Sequence, residues 1–124
     1  VAKACNQVLV AQTIAAVAEA LLLARASGAD PARVRGALLG GFAYSRILEV
    51  HGQRMLEGDY KPGFKSRLHQ KDMRIALETA SESKIALPGA ARATAYLGEL
   101  IDSGGGELDS AAIARVVWEG ASPD

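Results

Sequence analysis

The sequence predicts an all-α fold. Apolar residues recur at spacings of three and four, helix caps and stops punctuate the chain, and no run alternates with period two for long enough to form a strand. The first segment, Val1 to Gly28, shows the pattern best. Val10, Ile14, Val17, Leu21 and Ala24 share one helical face, and Ala11, Ala15, Ala18 and Leu22 line the next. A helix apolar over most of its circumference is expected to be central and surrounded by protein. After Lys3 no charge follows until Glu19. That run falls short of the roughly 20 apolar residues that span a bilayer, and it includes Asn6, Gln7, Gln12 and Thr13.

The remaining elements follow from their ends. Gly28 is placed to stop the first helix, and Asp30-Pro31 supplies an N-cap with proline at the first helical position. A short helix over Pro31 to Leu39 would bury Val34, Leu38 and Leu39 before Gly40-Gly41 breaks it. Ser45 is expected to cap a third helix to Glu57, with Ile47, Leu48, Met55 and Leu56 inward and Gly58-Asp59 as its stop. Asp59 to Gly63 is turn chemistry. Ser66 is the expected cap of a fourth helix to about Ser83, with Leu68, Met73, Ile75, Ala76 and Ala80 as its apolar stripe. Pro88 opens a fifth, ending near Gly104-Gly105-Gly106, and Asp109 caps a last one that buries Ile113, Val116, Val117 and Trp118.

Composition narrows the function classes. A chain of 124 residues that is 49% apolar is one domain with a real core. Fourteen basic residues balance fourteen acidic ones, so nothing favours nucleic acid or an anionic membrane as partner. The one cysteine, Cys5, excludes an internal disulfide and fits a reducing, cytoplasmic setting; inside an apolar helix it is expected to be buried and inert. No cluster suggests a metal. The opening VAKACN, without Met or a helix cap, suggests a cut through a longer protein.

Lys3, Asn6 and Gln7 stand at i, i+3 and i+4, so they project from one side of the first two turns. A cation in a first turn opposes the helix dipole, and such local violations cluster at functional sites. Spacing alone favours the plainer reading, Lys3 as a solvated residue at a ragged chain start. Phe64 could simply anchor a loop, and Lys71-Asp72 could be an exposed pair on an amphipathic helix. Tyr44, Ser45 and His51 are chemically capable but belong to no motif.

The succession KACNQ, AEALLLARASGADPARVRGALLGGFAYSR, ILEVHGQRM, PGFKSRLHQKDMRIAL, Leu87-Pro88 and GGGELDSAAI resembles the C-terminal domain of the β-hydroxyacid dehydrogenases along essentially the whole chain. Within that family, Asn6-Gln7 in place of the common Asn-Asn pair resembles the tartronate semialdehyde reductase branch; 3-hydroxyisobutyrate dehydrogenases are the alternative. The resemblance implies a helical domain of the 6-phosphogluconate dehydrogenase C-terminal type for residues 1–124, serving substrate binding and oligomerisation. It further implies an N-terminal Rossmann domain outside this chain that binds most of an NADP or NAD cofactor. By the same resemblance Lys3 is the catalytic lysine, Phe64 lies beside substrate and nicotinamide, and the substrate contact falls to Asn6, Gln7 or both. Lys71 and Asp72 then face the cofactor, and the domains pair into a homo-oligomer. Burial and the helix end are expected to disfavour the charged form of Lys3. The competing reading is a helical interaction module that has kept the sequence without the activity.

Overall fold

The computed structural model describes residues 1–120. They form six α-helices: α1 (Ala2–Ala26), α2 (Pro31–Leu38), α3 (Arg46–Glu57), α4 (Ser66–Glu82), α5 (Pro88–Leu100) and α6 (Ile113–Gly120). Among the described residues the only extended pairing is an isolated antiparallel bridge between Lys65 and Asp109. The other helices pack around α1. Ile14 and Leu21 of α1 meet Leu48 and Met55 of α3, Met73 of α4, Leu97 of α5 and Ile113 of α6 in one core. Each fully buried aliphatic side chain of this kind contributes roughly 1.5–3 kcal/mol. By length and composition α1 could cross a membrane; here it is the axis of the bundle.

The caps behave as local chemistry dictates. The Asp30 carboxylate accepts from Ala32 N–H, with Pro31 at the first helical position, and Ser45 Oγ accepts from Leu48 N–H. Gly58 ends α3 at φ 68°, a left-handed conformation that costs glycine nothing. Gly104, at φ 94°, turns the chain after α5, which ends at Leu100 and continues as a single π-helical turn, Ile101–Gly105.

Several expectations fail for tertiary reasons. The core covers only one side of α1, and Leu9 and Leu23 are 67% and 68% exposed. Cys5 is exposed, not buried, because it lies on a wall of an open groove between α1 and α4. No residue of α2 is fully buried; Val34, Leu38 and Leu39 are half-buried, since this short helix lies at the rim. Leu68 and Ile75 of α4 face outward, while Met73, Ala76 and Ala80 hold the core face. Val116 and Trp118 are half-buried, and the Trp118 indole N–H donates to the Ala18 carbonyl at 2.8 Å.

Ser66 does not cap α4. It is the first helical residue, buried, with its hydroxyl donating to the Leu108 carbonyl at 2.8 Å. The start of α4 is held by main-chain bonds instead: Ser66 N–H to Leu108 O and Arg67 N–H to Gly106 O. Asp109 N–H to Tyr60 O and Ser110 N–H to Phe64 O extend the same seam. The turn before α4 is thereby sewn to the turn before α6.

Candidate functional site

Two helices build the polar cluster. Lys3, Asn6 and Gln7 come from the first turns of α1, and Asp72 comes from the second turn of α4. The Gln7 amide is buried and committed on both sides. Its Oε1 accepts from Asn6 Nδ2 at 3.0 Å, and its Nε2 donates to Asp72 Oδ2 at 2.9 Å. The second bond is charge-assisted and fixes which way the amide faces. Lys3 Nζ stands 3.9 Å from the same carboxylate oxygen. The lysine side chain is 79% exposed, so the expected burial of its ammonium is not found in this chain. An ion pair this open is worth little stability.

These groups border a depression of about 200 Å³ lined by Val1, Lys3, Ala4, Gln7, Asp72 and Ile75. Ligand pockets usually occupy about 300–1,000 Å³, so this is part of a site rather than a whole one. A larger apolar groove of about 510 Å³ adjoins it, with Cys5, Leu9 and Ile85 on its walls and none of the charged cluster except the shared helix face. Asn6 is exposed, as is Lys71, one position before Asp72 and therefore turned to a different side of α4.

Phe64 reaches the cluster indirectly. Its ring lies 5.2 Å from the His69 imidazole, centroid to centroid, at 55°. His69 is three residues before Asp72, on the same face of α4. It is 1% exposed, and its Nδ1 is 2.7 Å from Ser110 Oγ. Burial lowers the His69 pKa below its ordinary value, against the pull of the Gln7 backbone and of the Asp72 and Asp109 carboxylates. Asp109, 2% exposed, forms a second hub. It pairs with Arg54 at 3.1 Å, lies 3.8 Å from His51 Nε2, and accepts the Gly63 and Phe64 N–H groups at 3.0 Å. His51 is also held below its ordinary pKa, chiefly by burial. Sequence reasoning gave no role to His69, Arg54 or Ser110 and only a capping role to Asp109. Their partners lie far along the chain, and a histidine one helical turn before Asp72 was the only local sign. Tyr44 and Ser45 stay outside the cluster: Ser45 caps α3, and Tyr44 Oη donates to Glu49.

Residues 1–117 match the family described as NAD-binding of NADP-dependent 3-hydroxyisobutyrate dehydrogenase. The chain belongs to this family. It is 49% identical to a 2-hydroxy-3-oxopropionate reductase of Escherichia coli over 115 residues, which is 93% of this chain and 39% of that protein. An L-threonate dehydrogenase of Cupriavidus necator is 36% identical over 90% of this chain and 38% of its own length. The crystal structure of a 3-hydroxyisobutyrate dehydrogenase from Salmonella typhimurium superposes with a TM-score of 0.87 at 27% identity, covering 93% of this chain and 40% of that one. The chain thus spans about two fifths of the relatives it matches. Within this helical domain the cluster offers an ammonium at Lys3, amide N–H groups and the Asn6 carboxamide oxygen.

Proposed function

We propose that this chain is the substrate-binding half of an NAD(P)-dependent reductase that interconverts tartronate semialdehyde and glycerate, working with a Rossmann domain that precedes Lys3. The observation that carries the reading is the junction of Lys3, Gln7 and Asp72, in which Gln7 and Asp72 meet across 65 residues of sequence. A helical interaction module has no need of an ammonium and a buried amide converging on one carboxylate.

The nicotinamide supplies the hydride when bound. As the aldehyde carbon is reduced, negative charge grows on its oxygen. Lys3 is set to stabilise that charge and to give the oxygen its proton, completing the alcohol; in oxidation the neutral amine takes the proton back. Asp72 holds the ammonium towards the depression, and Gln7 holds Asp72. Asn6 Oδ1 and the second Gln7 N–H remain for the substrate's hydroxyl and carboxylate. Phe64 supplies an apolar wall, and Lys71 faces the cofactor. Pairing of two such domains, which would cover the exposed Leu9 and Leu23, belongs to the same reading.

The 2-hydroxy-3-oxopropionate reductase relative supports this substrate over 3-hydroxyisobutyrate. Lys3→Ala in the full-length protein tests the reading. Turnover at saturating substrate should fall by about 10²–10⁴-fold, with cofactor affinity little changed, because only the proton donor is lost. Near-parent turnover would remove Lys3 from the chemistry.

A further inference from the structure

Phe64 is gripped from three directions by residues outside its own loop. Asp109 Oδ1 accepts its N–H and that of Gly63, each at 3.0 Å. Its carbonyl accepts Ser110 N–H at 3.1 Å, with Ser110 Oγ a further 3.4 Å contact. Its ring leans on the His69 imidazole, 5.2 Å between centroids. The first two grips fix the main chain and leave the ring free to turn. Among the described residues, His69 is the aromatic side chain that meets the ring.

The imidazole is itself fixed. One nitrogen is 2.7 Å from Ser110 Oγ, and the other, Nε2, is buried and makes no well-formed hydrogen bond, the Gln7 main chain offering only a weak one to the ring. A poorly satisfied buried polar atom is a cost that leucine or phenylalanine at the same place would avoid. The histidine therefore needs a reason beyond filling volume. Its hydrogen bond supplies one: Ser110 sets the plane of the imidazole, and the imidazole sets the Phe64 ring. The same face of α4 carries Asp72 three residues on, under Lys3. One rigid helix thus registers the aromatic wall against the proton donor, to a tolerance that substrate orientation demands.

We infer that His69 is a positioning residue, held by Ser110, that orients the Phe64 ring for substrate binding in the reductase. The inference rests on the proposed role of Phe64 as a substrate contact.

A double-mutant cycle in the full-length protein tests it, with Phe64→Ala, His69→Phe and the pair. His69→Phe keeps an aromatic neighbour but loses the bond to Ser110. It should raise KM for the hydroxy acid about five- to thirty-fold, with a smaller change in kcat and none in cofactor KM. In the Phe64→Ala background the same change should have almost no effect, because no ring remains to orient. Ser110→Ala should show the same coupling, and it decides the matter if His69→Phe fails to fold. Effects that add independently to those of Phe64→Ala would overturn the positioning role while leaving Phe64 as a contact. An unchanged substrate KM in Phe64→Ala alone would instead overturn the role of Phe64, and with it this inference.

Discussion

At the scale of single residues, the site depends on side chains that have no freedom to choose partners. The Gln7 amide accepts from Asn6 and donates to Asp72, so flipping it would forfeit both bonds. Gln7→Asn shortens the side chain by one methylene and carries its amide out of reach of Asp72. Losing a hydrogen bond to a carboxylate costs about 1.5–3 kcal/mol, so kcat/KM for the preferred hydroxy acid should fall by about tenfold or more. Its rank among small hydroxy acids should shift too, with the fold intact. Steady-state kinetics on a panel of such acids measures this; a profile indistinguishable from the parent would remove Gln7 from the site. Lys3, Asn6 and Gln7 were legible in the sequence because helical spacing alone puts them on one side. That Asp72 closes the cluster was not, since spacing on α4 carries no information about which helix it faces.

Between elements, the turn before α4 and the turn before α6 behave as one unit joined at Asp109. The carboxylate neutralises Arg54, receives two main-chain N–H groups, and caps the short turn Ser110–Ala112 through Ala111 N–H. Arg54 also donates to the carbonyls of Asp59 and Lys61, so the ion pair secures the whole loop that carries Phe64. Asp109→Ala would strand a largely buried guanidinium and several donors at once, a loss of about 3–5 kcal/mol. Urea unfolding should show it as a lowered midpoint, and a loss below about 1 kcal/mol would mean that water replaces the carboxylate freely. The caps of α2 and α3 could be read from the sequence because Asp30, Ser45 and Gly58 act within four residues of themselves. Ser66 was misread for the opposite reason: a serine before a helix looks like a cap, and only the distant Leu108 carbonyl shows what its hydroxyl does. The exposure of Cys5 and Ile75 escaped too, because apolar periodicity marks a face without saying what covers it.

For the whole molecule, folding stability should depend on pH through its two histidines. Both are held below the ordinary value of 6.5, chiefly by burial. Below pH 6.5 the unfolded chain therefore takes up protons that the folded chain still refuses. Stability is fully present above 6.5 and declines as pH falls from there towards the lowered folded-state values. Thermal unfolding between pH 8 and pH 5 should show a flat region and then a falling Tm, and His69→Phe should flatten part of the fall; a Tm that rises on acidification would contradict the burial of both rings. The larger claim is a division of labour, in which this helical half brings the proton donor and substrate contacts and another domain brings the hydride. The most direct measurement is oxidation of NADPH and NADH with tartronate semialdehyde, by the full-length protein and by residues 1–124 alone. Turnover by the full-length protein with at least one cofactor, and none by residues 1–124 alone, is the predicted result, because Lys3 without a positioned hydride donor has nothing to assist. No turnover by the full-length protein with either cofactor, or turnover by residues 1–124 alone, would contradict it.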